Sequence, residues 1–501
     1  MNPESTLRKA DRRMWFFIGG ILFIGFFAIS NQSLWIDEVN TALKSEQWTL
    51  PGWWHEMVKT RGSDMQMPLY MIWIWICGRI FGSSEIAVRA VNLLWFVPGV
   101  FMLWRSLARQ PRLQSCVFLA VVLSPFAWYY LDEARPYAMQ IGASLCLLAA
   151  IIHWNESEDV HGCKEMPWVI GFALGLIALC GASMLGVIWA GAAVLALVFI
   201  LRKERLGNVA RNFFPVWLGT LLLLVAMGAY FAWTLKFGAR ASDIGTTNWK
   251  NAAFVIYELL GFSGLGPGRL EIRGGELSVF KGYVPELAAF AILTLLVLFF
   301  AGRGFWEGKS KKSFIILATI VALPVFFLLG TGVALHFRVL GRHFAPLFAV
   351  VVFVLGNGLV NLWQRGTIGK IISVVYLFFC VGSCLAIRFE PRHQRDDYRD
   401  AAAMANQALT RGETVWWDAD ANGAKYYHLP LTTEPATANA ARQVVNLPPD
   451  ILMTAEEPEM VCCSRPDLYD PKGYLAKYLA QKNFQKQTML PAFVIWVRNG
   501  R

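Results

Sequence analysis

Charge is what this sequence has little of. Only 16% of its 501 residues are Asp, Glu, Lys or Arg, while 56% are hydrophobic; a soluble domain carries about 25% charge. That shortfall excludes an ordinary soluble fold and points to a chain that lives in a bilayer. Acids are scarcer than bases, 35 against 46, for a formal net charge of +11. The excess does not indicate nucleic acid, because the basic residues cluster in short loops between apolar runs, the pattern of cytoplasmic membrane loops. A spaced cysteine framework is also lacking: Cys77, Cys116, Cys146, Cys180, Cys380 and Cys384 lie inside apolar runs, and Cys462-Cys463 is vicinal, so neither a disulfide scaffold nor a metal motif is present. No Walker loop, dinucleotide fingerprint, HExxH or nucleophile elbow occurs, which argues against ATP- or NAD-driven chemistry. No repeat of solenoid period is present.

What the chain has is a succession of membrane-length apolar runs. A spanning helix needs about 20 apolar residues. Runs at 14–30, 86–104, 114–130, 137–153, 167–181, 183–201, 212–235, 285–302, 313–335, 342–363 and 369–388 meet or approach that length. The first follows a basic stretch (Arg8, Lys9, Arg12, Arg13) and reads as an uncleaved signal anchor. Residues 68–81 are apolar but short. If they lie at the interface, the clusters Arg105/Arg109/Arg112, Arg202/Lys203/Arg205/Arg211, Arg303/Lys309/Lys311/Lys312 and Arg365/Lys370 all fall on the cytoplasmic side. The expectation is therefore a mainly α, polytopic bundle of eleven spans with interfacial helices in the first outer loop. The loop 154–166 is acidic, but acids count little in this rule.

That topology puts three regions outside: the first loop (31–85), a glycine-rich loop (236–284) and a C-terminal region (389–501). The last is more polar and reads as a small α/β domain, with helices at 396–409 and 474–479 and strands at 414–417 and 493–497. The division is 1–388 for the membrane part and 389–501 for the outer domain.

Ionisable residues beside the membrane are costly and mark function. Asp37 and Glu38 directly follow the first run; Asp37 either caps the helix that starts near Val39 or serves as a base or metal ligand. Asp64 stands near the start of the short apolar helix, as a cap or as a second acid facing Asp37. Glu133 and Arg135 emerge at the end of 114–130, where an arginine's planar fork suits a phosphate, with snorkelling as the plainer alternative. Tyr129 and Tyr130 fit an interfacial aromatic belt, and Asp132 reads as solvated. The stretch His336 to Pro346 carries Arg338, Arg342 and His343; positive charge outside runs against the loop rule and so calls for an anionic ligand. Lys236, Arg240 and Lys250 read as ordinary loop charges. A phosphate-bearing substrate reached from within a membrane is a lipid phosphate.

The ordered pieces Leu34-Trp-Ile-Asp-Glu-Val39, Asp64-Met-Gln-Met-Pro-Leu-Tyr70, Phe81-Gly-Ser-Ser-Glu-Ile-Ala-Val-Arg89, Tyr130-Leu-Asp-Glu-Ala-Arg-Pro-Tyr137, Gly341-Arg-His-Phe-Ala-Pro346 and Asp397-Tyr-Arg-Asp-Ala-Ala402 resemble the GT-C membrane glycosyltransferases. Within them the chain is similar to the protein O-mannosyltransferase-like group, which includes bacterial enzymes that transfer aminoarabinose to lipid A. The resemblance implies a multi-pass protein of a bacterial-type cytoplasmic (inner) membrane with an extracytoplasmic site. It implies transfer from a polyprenyl-phosphate-linked sugar to a glycan, lipid or protein acceptor, and we expect that transfer to invert. Asp37 would be the general base, with Glu38 in support. Arg135, Arg338, Arg342 and His343 would face the donor phosphate. No cofactor is assigned; a divalent metal (Mg or Mn) at Asp37, Asp64 or Glu133 stays open. A lipid-linked polysaccharide polymerase or ligase, or a membrane transporter, is the alternative. Met67-Pro68 replaces a frequent proline pair, and Gly181-Ala-Ser-Met184 lacks a histidine often found there.

Overall fold

The computed structural model describes residues 3–60, 62–157, 163–201, 203–237, 246–307, 311–435 and 439–498. Long apolar runs become helices because a bilayer leaves backbone amides no partner but each other. Among the described residues, seven helices are long and apolar enough to cross: Glu85–Ser106, Tyr137–Glu156, Phe214–Thr234, Ser278–Glu307, Ile315–Ala334, Gly341–Trp363 and Gly366–Phe389. The expected run 114–130 forms two helices, Pro111–Val122 and Pro125–Leu131, with a 51° bend between them, either a broken span or a re-entrant pair. Pro125 lacks the N–H that would continue the first helix, and Ser124 starts the second by accepting the Ala127 N–H at 3.4 Å. Three further expected spans are also helices among the described residues. Met166–Ala182 and Gly186–Ile200 have 17 and 15 residues, and the helix Pro3–Ala28 is apolar only from Met14 onward.

The helix Pro68–Phe81 has 14 residues, about 21 Å at 1.5 Å per residue, short of a hydrocarbon core of about 30 Å. Its exposed Ile72, Ile76 and Ile80 repeat every four residues and form one apolar stripe. The opposite side holds the end of the helix Ile36–Ser45: Trp75 Nε1 donates to the Gln47 carbonyl at 2.7 Å, and Arg79 Nη2 donates to those of Ser45 and Glu46 at 3.1 and 2.8 Å.

Tyr137–Glu156 is the central helix, with 83% of its apolar window buried against 11% for the peripheral Phe214–Thr234. It crosses Leu93–Ser106 at Gly99 and Gly142, where a methyl group on either would collide with the other helix's backbone. Small residues at such a crossing let two backbones pack directly. Basic residues gather at its C-terminal end, where Arg109 and Arg205 donate to the carbonyls of Glu156 and Ser157. Its N-terminal end carries Glu133 and Arg135. Twenty residues, about 30 Å, separate the two ends.

The glycine-rich stretch folds rather than looping freely. It forms Trp249–Leu259, capped by Asn248, then Arg269–Gly275 and a 3-10 segment Glu276–Tyr283. Gly264 and Gly268 lie flush against the backbones of Ser383 and Arg392; a side chain there would hold the segment away from the last membrane helix. Arg240 lies outside the described residues.

Beyond Phe389 the chain builds an α/β unit. Its six strands are β1 (Val415–Asp418), β2 (Leu431–Thr432), β3 (Ala441–Gln443), β4 (Met460–Ser464), β5 (Phe484–Leu490) and β6 (Phe493–Arg498), in the order β2-β3-β1-β4-β6-β5. The first four run parallel; β6 and β5 are antiparallel. Successive residues of β1 face opposite ways: Trp417 packs under the Ala-rich helix Tyr398–Thr410, and Trp416 stacks near Tyr478 of Tyr474–Gln481. The helices and strands expected at 396–409, 414–417, 474–479 and 493–497 are present within two residues of those bounds.

Replacing Gly142 by Ala will force the two helices apart and destabilise the protein by about 1–3 kcal/mol, read as a lower thermal midpoint in detergent. The same change at Gly191, which meets nothing within 4 Å, will not.

Candidate active site

The helix Ile36–Ser45 begins one residue before Asp37, with Trp35 at its N-cap. Asp37 therefore does not cap it. Its carboxylate faces Arg342, Oδ2 to Nη1 3.5 Å, and each side chain is 29% exposed. Glu38 points the other way and is fully buried. Arg89 grips it with two prongs, Nε to Oε1 at 2.9 Å and Nη2 to Oε2 at 2.7 Å. The Ala134 N–H donates to Oε1 at 2.8 Å, and Arg395 Nη1 lies 3.2 Å from Oε2. Burial works to raise the Glu38 pKa, but Arg89 and Arg395 outweigh it and hold the carboxyl below its usual range. The adjacent acids thus differ in kind: Asp37 is open, and Glu38 is saturated with partners.

Asp64 does not face Asp37. It is buried between Lys44 and Arg135, with Arg135 Nη1 donating to Oδ1 at 2.7 Å. These two cations overcome the effect of burial and keep its pKa low. Arg135 also donates to Thr41 Oγ1 at 3.2 Å and is buried, so it braces the Asp37 helix. Arg338 is exposed, and its charge bears on Arg273; among the described residues no contact joins it to Asp37. The His343 ring turns back on its own chain, its Nδ1 accepting the Leu340 N–H at 3.2 Å, while its carbonyl accepts Trp189 Nε1. His343 thereby closes the 3-10 turn Gly341–Leu347 that presents Arg342. Asp132 is not solvated: it accepts both the Ser30 N–H and its hydroxyl at 2.6 Å.

Several site residues escaped the sequence reading. Arg269 pairs with the buried Glu258, stacks 3.8 Å over the Tyr129 ring and donates to the Tyr130 hydroxyl. Tyr129 and Tyr130 face this cluster, not a membrane belt. Arg395 donates to the Tyr129 carbonyl at 3.3 Å. Lys44 and Arg89 complete the set. Arg89 stood within one of the quoted sequence pieces; Arg269 and Arg395 carried no local signal, since folding alone brings them beside Glu133.

Glu133 is 1% exposed and lies in the fields of Arg395, Arg269 and Arg342, with Glu38 opposing. Burial raises its pKa more than the arginines lower it. Asp37, Asp64 and Glu133 do not suit a divalent metal. Asp37 and Asp64 are turned to cations, and among the described residues no three His, Cys, Asp or Glu side chains converge.

No family model matches the sequence, and no curated protein matches it. Solved structures do match across nearly the whole chain. ArnT from Cupriavidus metallidurans bound to undecaprenyl phosphate aligns with a TM-score of 0.54 at 14% identity, over 97% of this chain and 98% of that one. The apo state of ArnT gives 0.55 at the same identity and coverage. The chain has an ArnT-like GT-C fold. The arabinofuranosyltransferase AftD from Mycobacteria also aligns, at 12% identity and a TM-score of 0.42, over 98% of this chain and 40% of that one.

Within this GT-C fold the C-terminal unit clamps the loop that bears Asp37. The Tyr427 hydroxyl accepts the Leu34 N–H at 2.8 Å and lies 3.2 Å from Ser33 Oγ, whose oxygen accepts the Arg399 N–H. Asn422 bonds Asn40 at 2.7 Å, and the Tyr426 hydroxyl donates to the Ser83 carbonyl at 2.8 Å.

Glu38→Gln will destabilise the protein by about 3–5 kcal/mol, because it leaves the buried Arg89 and Arg395 without their closest counter-charge, with Asp132 3.9 Å from Arg89 as the remaining acid. Asp37→Asn, at a partly open position, will stay within about 0.5 kcal/mol of wild type; thermal unfolding of the two variants separates these outcomes. The pH dependence has a defined sign. Glu38 and Asp64 have lowered pKa values, so their contribution is complete above the ordinary carboxylate range and is lost as pH falls through the lowered values. Glu133, with a raised pKa, acts oppositely: its ionisation costs stability as pH rises through that value. Thermal midpoints from neutral to acidic pH will therefore fall in wild type and change less in Asp64→Asn.

Proposed function

We propose that this chain is a membrane glycosyltransferase. It moves a sugar from a polyprenyl-phosphate donor to an acceptor hydroxyl with inversion, using Asp37 as general base. One observation carries the reading: Asp37, an open carboxylate, sits against Arg342 beside an arginine-lined cluster in an ArnT-like fold. The ArnT structure was solved with undecaprenyl phosphate, which supports a lipid phosphate as donor handle here.

The chemistry divides among the residues by exposure. Asp37 takes the proton from the acceptor hydroxyl as that oxygen forms its bond to the anomeric carbon. The bond from that carbon to the phosphate oxygen breaks, and its electron pair leaves with the polyprenyl phosphate. Arg342 and Arg269 offset the developing charge, since their side chains remain 29% and 42% exposed. Arg135 is committed to Asp64 and Arg338 stands apart, so neither is assigned to the phosphate. The acids stand at helix ends and in loops rather than on broken helices at mid-membrane, which favours transfer over transport. The basic residues at the far end of the central helix support an extracytoplasmic site in a cytoplasmic membrane.

Purified protein supplied with polyprenyl-phosphate sugars will show transfer. Asp37→Asn will lower turnover about 10²–10⁴-fold, and Arg342→Met will lower it about 10²–10³-fold. Arg338→Gln will leave it unchanged. Undiminished transfer by Asp37→Asn would sink the base assignment.

A further inference from the structure

Five carboxylates in the cluster each have a cation: Asp37 has Arg342, Glu38 has Arg89 and Arg395, Asp64 has Arg135 and Lys44, Glu258 has Arg269, and Asp132 has Arg89 at 3.9 Å. The sixth, Glu133, has none among the described residues. It is 1% exposed, it joins no ion pair among the described residues, and its buried Oε2 has no hydrogen-bond partner. Its backbone is not slack. The Asn92 side-chain amide donates to the carbonyls of Leu131 and Glu133 at 3.0 and 2.8 Å, and the next residue, Ala134, is bonded to Glu38. The residue is held in place by its neighbours while its buried Oε2 has no donor among the described residues.

An unbonded buried carboxylate is costly, and native structures keep one only for a reason. Arg395, Arg269 and Arg342 supply compensating field without contact. What is missing is a hydrogen-bond donor. A phosphate cannot serve, because an ionised phosphate offers acceptors and repels a carboxylate; it belongs to the arginines. A sugar hydroxyl offers the donor and carries no charge. Position agrees: Ala134, the residue after Glu133, donates its N–H to Glu38, the chain neighbour of Asp37.

We infer that Glu133 is a specificity-determining residue whose carboxylate accepts hydrogen bonds from hydroxyls of the donor sugar, distinguishing a sugar-loaded polyprenyl phosphate from the bare carrier. The inference rests on the proposed donor class and adds which end of the donor each group reads. Arginines read the phosphate, and Glu133 reads the sugar.

The test is equilibrium binding to the full-length chain in nanodiscs, with bare polyprenyl phosphate and with hexosyl- and pentosyl-loaded polyprenyl phosphates as probes. Wild type will bind at least one loaded form more tightly than the bare lipid. Glu133→Gln, which keeps the shape and removes the charge, will weaken that loaded form roughly ten- to a hundredfold, the range for a hydrogen bond to a charged group. Bare polyprenyl phosphate will bind as before, which also shows that the variant is folded. Glu133→Asp, one methylene shorter, gives the same readout and decides the matter if the Gln variant cannot be purified. Equal weakening of both probes would assign Glu133 to the arginine cluster and overturn the inference. So would an unchanged ratio, or loss of turnover with loaded-donor binding intact, which would make Glu133 the base. Failure of wild type to bind any of the probes would instead remove the donor class, and the inference with it.

Discussion

The buried bond between Glu38 and Arg89 is what the rest of the site leans on. Glu38 belongs to the first loop, Arg89 to the next membrane helix, Ala134 to the approach to the central helix, and Arg395 to the segment after the last span. One carboxylate therefore ties four distant parts of the chain together. Such a pair gains little over water in net terms, because both charges lose their hydration. Its value is geometric. Each partner is intolerable alone in that interior, so the four segments hold one relative arrangement, and Asp37, one residue away, inherits it.

The membrane fold was legible in the sequence because a bilayer imposes a simple code: apolar length, basic loops and helix ends marked by proline and glycine. The α/β character of the C-terminal unit was legible for a related reason, since alternation around Trp416 and Trp417 leaves a period of two. The count of crossings was less so. Length alone could not separate a full span from the shorter Met166–Ala182, nor reveal the break at Ser124-Pro125 inside one apolar run.

The site was legible in part. Asp37 and Arg342 stood out as charges in costly places, and folding brings them together. Glu38, Asp64, Arg135 and His343 stood out equally, yet the first three are spent on ion pairs and the fourth on a turn. Sequence marks where charge is expensive; it does not say which charges neutralise each other. Arg269 and Arg395 were invisible for the converse reason. Each lies in a polar stretch where an arginine costs nothing, and only long-range packing carries it to the cluster.

The Tyr427 hydroxyl meets the Leu34 N–H across 393 residues of chain. Loop closure over such a distance comes late, after nearer contacts have formed. A ribosome making this protein releases the helix of Asp37 before its clamp, which follows 393 residues after Leu34, as domains emerge from the N-terminus onward. Until that last unit folds, Glu38 holds Arg89 but not Arg395, and the loop at Asn31 to Asn40 lacks its fastening. The order of synthesis therefore leaves the acidic loop incomplete until the membrane part is already assembled, and a chain truncated before Asp397 would carry every span and still lack a finished site.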